Sequence, residues 1–243
     1  MLVGIIVGYA GNNLVNGFKA IAPSFVALAE KDGVKGFWLT QVVPGGAEQY
    51  TASANPIALQ TLDAMGNAAQ SFSYHKGDTA RAYKNFDGWY LGVTAIKPEN
   101  DVFFPVGTGL WVSGADSLTI TTAGEVLKDS VRADLVDGFR LVANPFPVAV
   151  KLTNIVPSGA EQYTASVNPI ALQTLDAMGN AAQSYSYHKG DTARAYKNYD
   201  GWYLGVTAIK PENDVEIPAG ASLWVSGNAT LKLTVVTPFE DAE

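Results

Sequence analysis

The side chains able to do acid–base or metal chemistry are few, and they come in pairs. The two histidines, His75 and His188, occupy the same place in two near-identical stretches. A zinc site or a catalytic triad needs several groups at set distances, and one imidazole per stretch supplies neither. His75 stands beside Lys76-Gly-Asp78, which reads as a turn, so a loop histidine is the expectation. That tripeptide is also an integrin-type ligand motif, but three residues match by chance often. Carboxylates gather at Glu99-Asn-Asp101 and Glu212-Asn-Asp214. Oxygen-rich loops hold calcium, yet this spacing fits no calcium loop, and the adjacent Pro98 points to a plain turn. A glycosidase needs two carboxyls at a fixed separation across a cleft. Among Asp63, Asp78, Asp87, Glu99 and Asp101 nothing selects a pair. With no phosphate loop, nucleophile elbow or His-Glu zinc helix, the expectation is a non-enzyme without metal or cofactor.

Aromatic residues offer a different chemistry. Tyr83, Phe86, Trp89 and Tyr90 lie close together and recur as Tyr196, Tyr199, Trp202 and Tyr203. Set in a planar row, such rings stack on sugars, which makes Trp89, Tyr90, Trp202 and Tyr203 the candidate glycan-binding residues. On a strand, Trp89 and Tyr90 point to opposite faces, so at most one of them belongs to a core. Core or interface packing is the blander account of the whole cluster.

These residues recur because Val43–Val102 is written out again as Val156–Val215, at an offset of 113 residues with 56 of 60 pairs identical. The exceptions are Gly45/Ser158, Ala54/Val167, Phe72/Tyr185 and Phe86/Tyr199. The two Phe/Tyr pairs add a hydroxyl that needs a polar partner, so both ring edges are expected to reach water or an interface. A period of this length suits a whole small domain rather than a solenoid turn. Many short strands with regular turn signals predict an all-β chain of two tandem homologous β-sandwich or barrel-like domains, residues 1–127 and 128–243.

Ahead of the repeated block, Leu14-Val-Asn-Gly-Phe-Lys-Ala-Ile-Ala-Pro23 echoes Leu135-Val-Asp-Gly-Phe-Arg-Leu-Val-Ala-Asn144 at an offset of 121, so copy one holds eight additional residues. A hairpin insertion near 30–38, turning at Lys31-Asp-Gly33, accounts for them. Within the block, Asn55–Gly66 reads either as a helix capped by Asn and Pro or as a strand entering the Met65-Gly-Asn67 turn. The alternating partner Ala68–Tyr74 favours the hairpin. Trp89–Ile96 reads as a core strand, and Ser117–Thr121 as a half-exposed strand. Thr121–Asp134 carries no apolar period and joins the copies.

Two places suggest contact between molecules. Leu2-Val-Gly-Ile-Ile-Val-Gly-Tyr9 is apolar on both alternating faces, the pattern of a strand buried on both sides. It either fills its own sandwich or completes a neighbour's sheet. Phe103-Phe104 of copy one stands where copy two has Glu216-Ile217. A position that tolerates Glu faces solvent, so Phe103 calls for a covering surface from the other copy or another subunit. The candidate subunit-interface residues are Leu2, Val3, Ile5, Ile6, Val7, Trp38 and Phe103.

Bulk properties narrow the partners. The chain is 47% hydrophobic and only 16% charged, with a net charge of −7 spread over both halves. No basic stripe is present to grip a phosphate backbone, so nucleic acid is not an expected partner. No run approaches the length of a membrane-spanning helix. With no cysteine, thiol chemistry and disulfides are excluded.

Gly138-Phe-Arg-Leu-Val-Ala-Asn-Pro-Phe-Pro147, opening copy two, and Pro218-Ala-Gly-Ala-Ser-Leu-Trp-Val-Ser226, closing it, resemble a class of secreted bacterial β-rich repeat proteins. Members open on a Gly-aromatic-x-Leu-Val-x-Asn-Pro strand and close on a Gly-x-x-aromatic-Val strand. The resemblance spans nearly all of copy two and is weaker in copy one, where Ala22-Pro-Ser24 replaces the Asn-Pro. It implies an extracellular or cell-surface location and a structural role, and it brings no catalytic residues. The expectation is therefore a structural protein that assembles with itself into a filament or surface layer, by exchange of its N-terminal strand. The alternative is a bivalent carbohydrate-binding module using the paired aromatic patches.

Overall fold

The structure is a computed structural model that describes residues 7–26, 28–63, 65–77, 86–92, 94–176, 178–190, 199–205 and 207–239. Among these residues the regular structure is all β-strand, apart from two short 3-10 segments at Leu39–Gln41 and Leu152–Asn154. Copy one opens with β1 (Val7–Asn13), β2 (Gly17–Ile21) and β3 (Phe25–Val26). β4 (Ala29–Lys31), β5 (Val34–Trp38) and β6 (Val43–Gly45) follow. The repeated block holds β7 (Ala58–Leu62), β8 (Ala68–His75) and β9 (Gly88–Leu91). β10 (Phe103–Pro105), β11 (Leu110–Gly114) and β12 (Thr119–Val126) close the copy. Copy two runs through β13 (Val131–Asp134), β14 (Gly138–Ala143), β15 (Val150–Lys151) and β16 (Ile155–Ser158). It continues as β17 (Ala171–Leu175), β18 (Ala181–His188) and β19 (Gly201–Leu204). The last strands are β20 (Glu216–Ile217), β21 (Ser222–Gly227) and β22 (Lys232–Val235).

The main sheet of copy one has the order β2-β11-β7-β8-β9, and copy two repeats it as β14-β21-β17-β18-β19. Opposite it, β12 pairs with β1 on one side and with β3 and β6 on the other. Its counterpart β22 lies between β13 and β16. Side chains alternate as the pleat demands: Leu110 and Val112 of β11 are buried while Trp111 and Ser113 are half-buried. Leu59, Phe72 and Val112 of the main sheet share one apolar cluster with Leu118 and Ile120 from the opposite side. The buried apolar residues thus fall into two clusters between paired sheets, drawn largely from one copy each; the second holds Leu172, Tyr185, Val225 and Leu233.

Turn chemistry decides the local choices. The segment 55–75 is the hairpin, with β7 antiparallel to β8 from Ala58↔Ser73 to Leu62↔Ala68. A helical N-cap requires extended backbone, whereas Asn55 sits at φ 48 and its amide donates to the Gln49 carbonyl at 3.0 Å. At the tip the Asp63 carboxylate accepts the N–H groups of Met65 and Asn67, and Gly66 supplies the left-handed step at φ 81. The inserted hairpin β4–β5 turns through Asp32 and Gly33, both at positive φ, the two-residue turn whose twist matches its strands.

Two expectations are corrected here. The core strand expected over Trp89–Ile96 stops at Leu91, because Gly92 at φ 62 turns the chain away. Thr121–Asp134 is mostly strand rather than a patternless connection: β12 continues to Val126, β13 begins at Val131, and Leu127–Ser130 joins them. A strand held by ladders on both sides needs no strict apolar period, which is why its pattern was weak. Leu127 and Val131 already belong to the core of copy two.

The opening motif of copy two has a physical role. Asn144, 1% exposed, donates from Nδ2 towards the carbonyls of Val148, Ile217 and Pro218 at 2.9, 3.1 and 3.0 Å. Its Oδ1 accepts the Phe146 N–H at 3.1 Å. One amide thereby ties the loop after β14 to β20. Copy one has Pro23 at this position and holds the matching region with its inserted hairpin instead, in the order β10-β5-β4. Asn144→Ala strands these buried carbonyls and should lower stability by about 2–3 kcal/mol in urea unfolding. Pro23→Ala should shift the midpoint much less; equal losses from the two substitutions would contradict this role.

Candidate functional site

The four candidate sugar-stacking rings are interior. Trp89 and Trp202 are 2% and 0% exposed, Tyr90 and Tyr203 both 0%. Each indole donates across its sandwich, Trp89 Nε1 to the Val42 carbonyl at 2.9 Å and Trp202 Nε1 to that of Ile155 at 2.8 Å. The tyrosines point to the other face, as strand alternation requires, yet they too are buried. Tyr90 donates to the Phe86 carbonyl and Tyr203 to the Tyr199 carbonyl, both at 2.6 Å. The expectation that only one ring of each pair would be covered is wrong, because both faces of the sheet edge are covered. With no free face, these rings cannot stack on a sugar. Tyr83 and Tyr196 lie outside the described residues, while Phe86 and Tyr199 are exposed. The Tyr185 ring is buried, and its hydroxyl reaches out to the exposed Gln183, donating to Oε1 at 2.6 Å.

The histidines are also buried, contrary to the loop reading. His75 ends β8 and His188 ends β18, each 2% exposed. His75 Nε2 lies 3.0 Å from Ser73 Oγ and its ring meets Tyr90 edge-on at 5.2 Å; His188, Ser186 and Tyr203 repeat the arrangement. Among the described residues no three His, Asp or Glu side chains gather as metal ligands. Asp214 pairs with Lys151 at 3.0 Å, and this hydrogen bond raises the Lys151 pKa. Asp63 and Asp176 are held below the usual carboxylate range, first by the backbone N–H of Asn67 and Asn180 respectively.

Of the candidate interface residues, Leu2, Val3, Ile5 and Ile6 lie outside the described residues. Val7 begins β1, which pairs with its own copy's β12 through seven positions, from Val7↔Glu125 to Asn13↔Thr119. Tyr9 is 79% exposed, so the strand is not buried on both faces there. Trp38 and Phe103 are brought together as cross-strand partners on β5 and β10, their rings 5.1 Å apart and edge-on. Gly36 makes room for the ring: a Cβ there would come within 2.4 Å of Phe103 Cζ. Part of the cover for Phe103 is thus Trp38 on the inserted hairpin of its own copy, while the ring stays half-buried and lines a cleft shared with Phe139 and Leu141 of copy two. Copy two has Lys151 opposite Glu216 in the equivalent pair. Both members change together, aromatic in one copy and charged in the other. Sequence comparison registered the Phe103/Glu216 contrast but not its partner: Trp38 and Lys151 keep the same 113-residue offset but lie outside the near-identical block, and only the strand pairing sets them opposite Phe103 and Glu216.

A surface not singled out by sequence is the seam between the copies. The Ala22 N–H donates to the Gly220 carbonyl at 2.9 Å, and its counterpart Ala143 donates to Gly107 at 2.8 Å. Trp111 and Trp224, equivalent residues of β11 and β21, lie 6.3 Å apart. The hairpin-tip glycines reciprocate: Gly66 lies against the Trp224 ring and Gly179 against the Trp111 ring. These doubled contacts describe a local near-twofold relation. Beside the seam lies a cleft of about 390 Å³ whose walls include Phe103, Pro105, Leu62 and Thr108 of copy one and Phe139 and Leu141 of copy two.

Compared with protein-family models, with curated proteins and with solved structures, the chain matches none of them.

Two outcomes follow from this placement. Trp89→Ala and Trp202→Ala should each destabilise the fold by about 3–5 kcal/mol, read by calorimetry; a ligand-face tryptophan would leave the transition nearly unmoved. The turn carboxylates have lowered pKa values, so their stabilisation is present above the unfolded value of about 3.9 and is lost as pH falls through the folded values. Asp63→Asn with Asp176→Asn should lower Tm at neutral pH and flatten the acid limb; an unchanged acid limb would refute it.

Proposed function

We propose that this protein is a non-enzymatic, extracellular structural component that assembles with copies of itself into a filament or surface layer, linked by exchange of the N-terminal strand. The observation that carries the reading is β1. It is the first described strand and lies at the edge of its sheet, and its residues Gly8 to Asn13 are all exposed or half-buried. It is therefore held by its backbone ladder to β12 more than by apolar packing. Another chain's β12 offers the same ladder, so transfer of β1 between chains costs few contacts. The apolar residues ahead of it, Leu2, Val3, Ile5 and Ile6, would travel with the strand and add grip on the acceptor. One-way donation of this kind is head-to-tail, and where the rotation does not close it builds fibres. The extracellular assignment draws on the resemblance of the copy-two motifs to secreted repeat proteins and on a weakly charged, turn-rich composition.

Negative-stain electron microscopy of the full chain, beside a chain lacking residues 1–13, tests the reading. Filaments from the full chain and dispersed particles from the truncated one are expected. Filaments that persist without β1 would remove strand exchange as the link, and dispersed full-length particles at every concentration would remove self-assembly.

A further inference from the structure

The near-twofold relation at the seam is broken at several positions, and at two pairs of them the break is complementary. Copy one has Gly109 where copy two has Ser222, and copy one has Ala20 where copy two has Leu141. Leu141 fills the space that Gly109 leaves: a Cβ on Gly109 would lie 2.6 Å from Leu141 Cγ and 2.7 Å from Ser222 Oγ. Across the pseudo-axis, Ser222 Oγ donates to the carbonyl of Ile21, next to the small Ala20, at 2.9 Å. The large side chain and the matching hole thus sit on different copies. Two copy-two units set face to face would drive Ser222 against Leu141. Two copy-one units would leave Gly109 opposite Ala20 and a void. A void and an overpacked contact each cost stability in a close-packed contact. One-to-two pairing alone avoids both.

We infer that the seam is a self-recognition surface with coded partner choice, which takes copy two of another molecule of this chain in place of its own. The occupant fits because it presents the same residues in the same relation, so exchange in trans re-forms every seam contact. The connection Leu127–Ser130 is short, and Leu127 is anchored in the copy-two core, which places the hinge just after β12. Specificity comes from repulsion in the wrong pairings as much as from fit in the right one. This inference rests on the self-assembly reading; β1 reaches the seam at Asn12, beside Gly220, but the reversed chain keeps Asn12 and the whole β1 ladder, so the two fail separately.

The test reverses the code. Ala20→Leu, Gly109→Ser, Leu141→Ala and Ser222→Gly together move the large side chain to copy one and the hole to copy two. The chain has no cysteine, so Asp101→Cys gives a single labelling position for energy transfer between molecules. Transfer should develop among wild-type molecules and among reversed molecules after concentrated co-incubation. Exchange of β1 contributes alike to all three samples, so between wild type and reversed only the seam's share is lost and transfer should be measurably weaker than in either matched sample. Equal transfer in the mixed sample overturns the coded seam while leaving β1 exchange standing, since the reversed chain keeps β1 intact. Absence of transfer among wild-type molecules also overturns it. Should the fourfold variant fail to fold, Gly109→Ser alone should expose residues 127–130 to protease, and adding Leu141→Ala should restore protection. Failure of that rescue counts against the inference equally.

Discussion

Closure of each sandwich depends on one interaction, the indole N–H of a buried tryptophan reaching the opposite side. Trp89 stands on β9, the far edge of the main sheet, and its proton goes to the carbonyl of Val42, just before β6. Trp202 does the same to Ile155. A large apolar ring with a single donor can fill a core and satisfy a backbone acceptor in one step. Around each indole stand edge-on tyrosines, Tyr74 at 5.2 Å and then Tyr50 at 5.5 Å from Tyr74, and copy two repeats the series with Tyr187 and Tyr163. The tryptophans and tyrosines of this series are identical in the two copies, and the acceptor, a backbone carbonyl, is the same group on Val42 and Ile155.

Much of the fold was legible in the sequence because turns and alternation are local. The Asp32-Gly33 turn, the Met65-Gly-Asn67 tip and the half-exposed strand at Ser117–Thr121 each rest on a few neighbouring residues, and the structure contains each of them. What was not legible rests on distance. Burial of both Trp89 and Tyr90 depends on what covers the second face of a strand, which alternation cannot say. His75 and His188 look like loop residues beside a turn, and only pairing with β9 and β19 places them in strands under tyrosine rings. The cover of Phe103 required knowing that β5 runs beside β10. The seam was not legible because the meeting of equivalent residues such as Trp111 and Trp224 depends on how the copies pack, and its backbone carbonyls and glycines carry no compositional signal.

The eight-residue insertion and the motif around Asn144 are two solutions to one problem. The segment that leads from the opening strand to the repeated block must be tied to β10 or to β20. Copy two uses a buried amide with three carbonyl acceptors. Copy one uses an added hairpin, with an aromatic pair where its twin has ions. Duplication supplied two equal copies, and the divergence is concentrated where the repeated block meets its surroundings.

The identity of the repeated blocks raises a difficulty for the unfolded chain. Nothing within β7, β8 and β9 distinguishes them from β17, β18 and β19 apart from a ring hydroxyl, so a collapsing chain could build a sandwich from mixed halves. Tandem domains of high identity are prone to such misassembly. The flanking pairs act as a sorting label. Trp38 meets Phe103 and Lys151 meets Glu216, whereas the crossed pairings set an aromatic ring against a charge on both strands. A hybrid sandwich would close with two mismatched clamps at its rim. The few residues that differ between the copies would then serve the route to the folded state as well as its final packing.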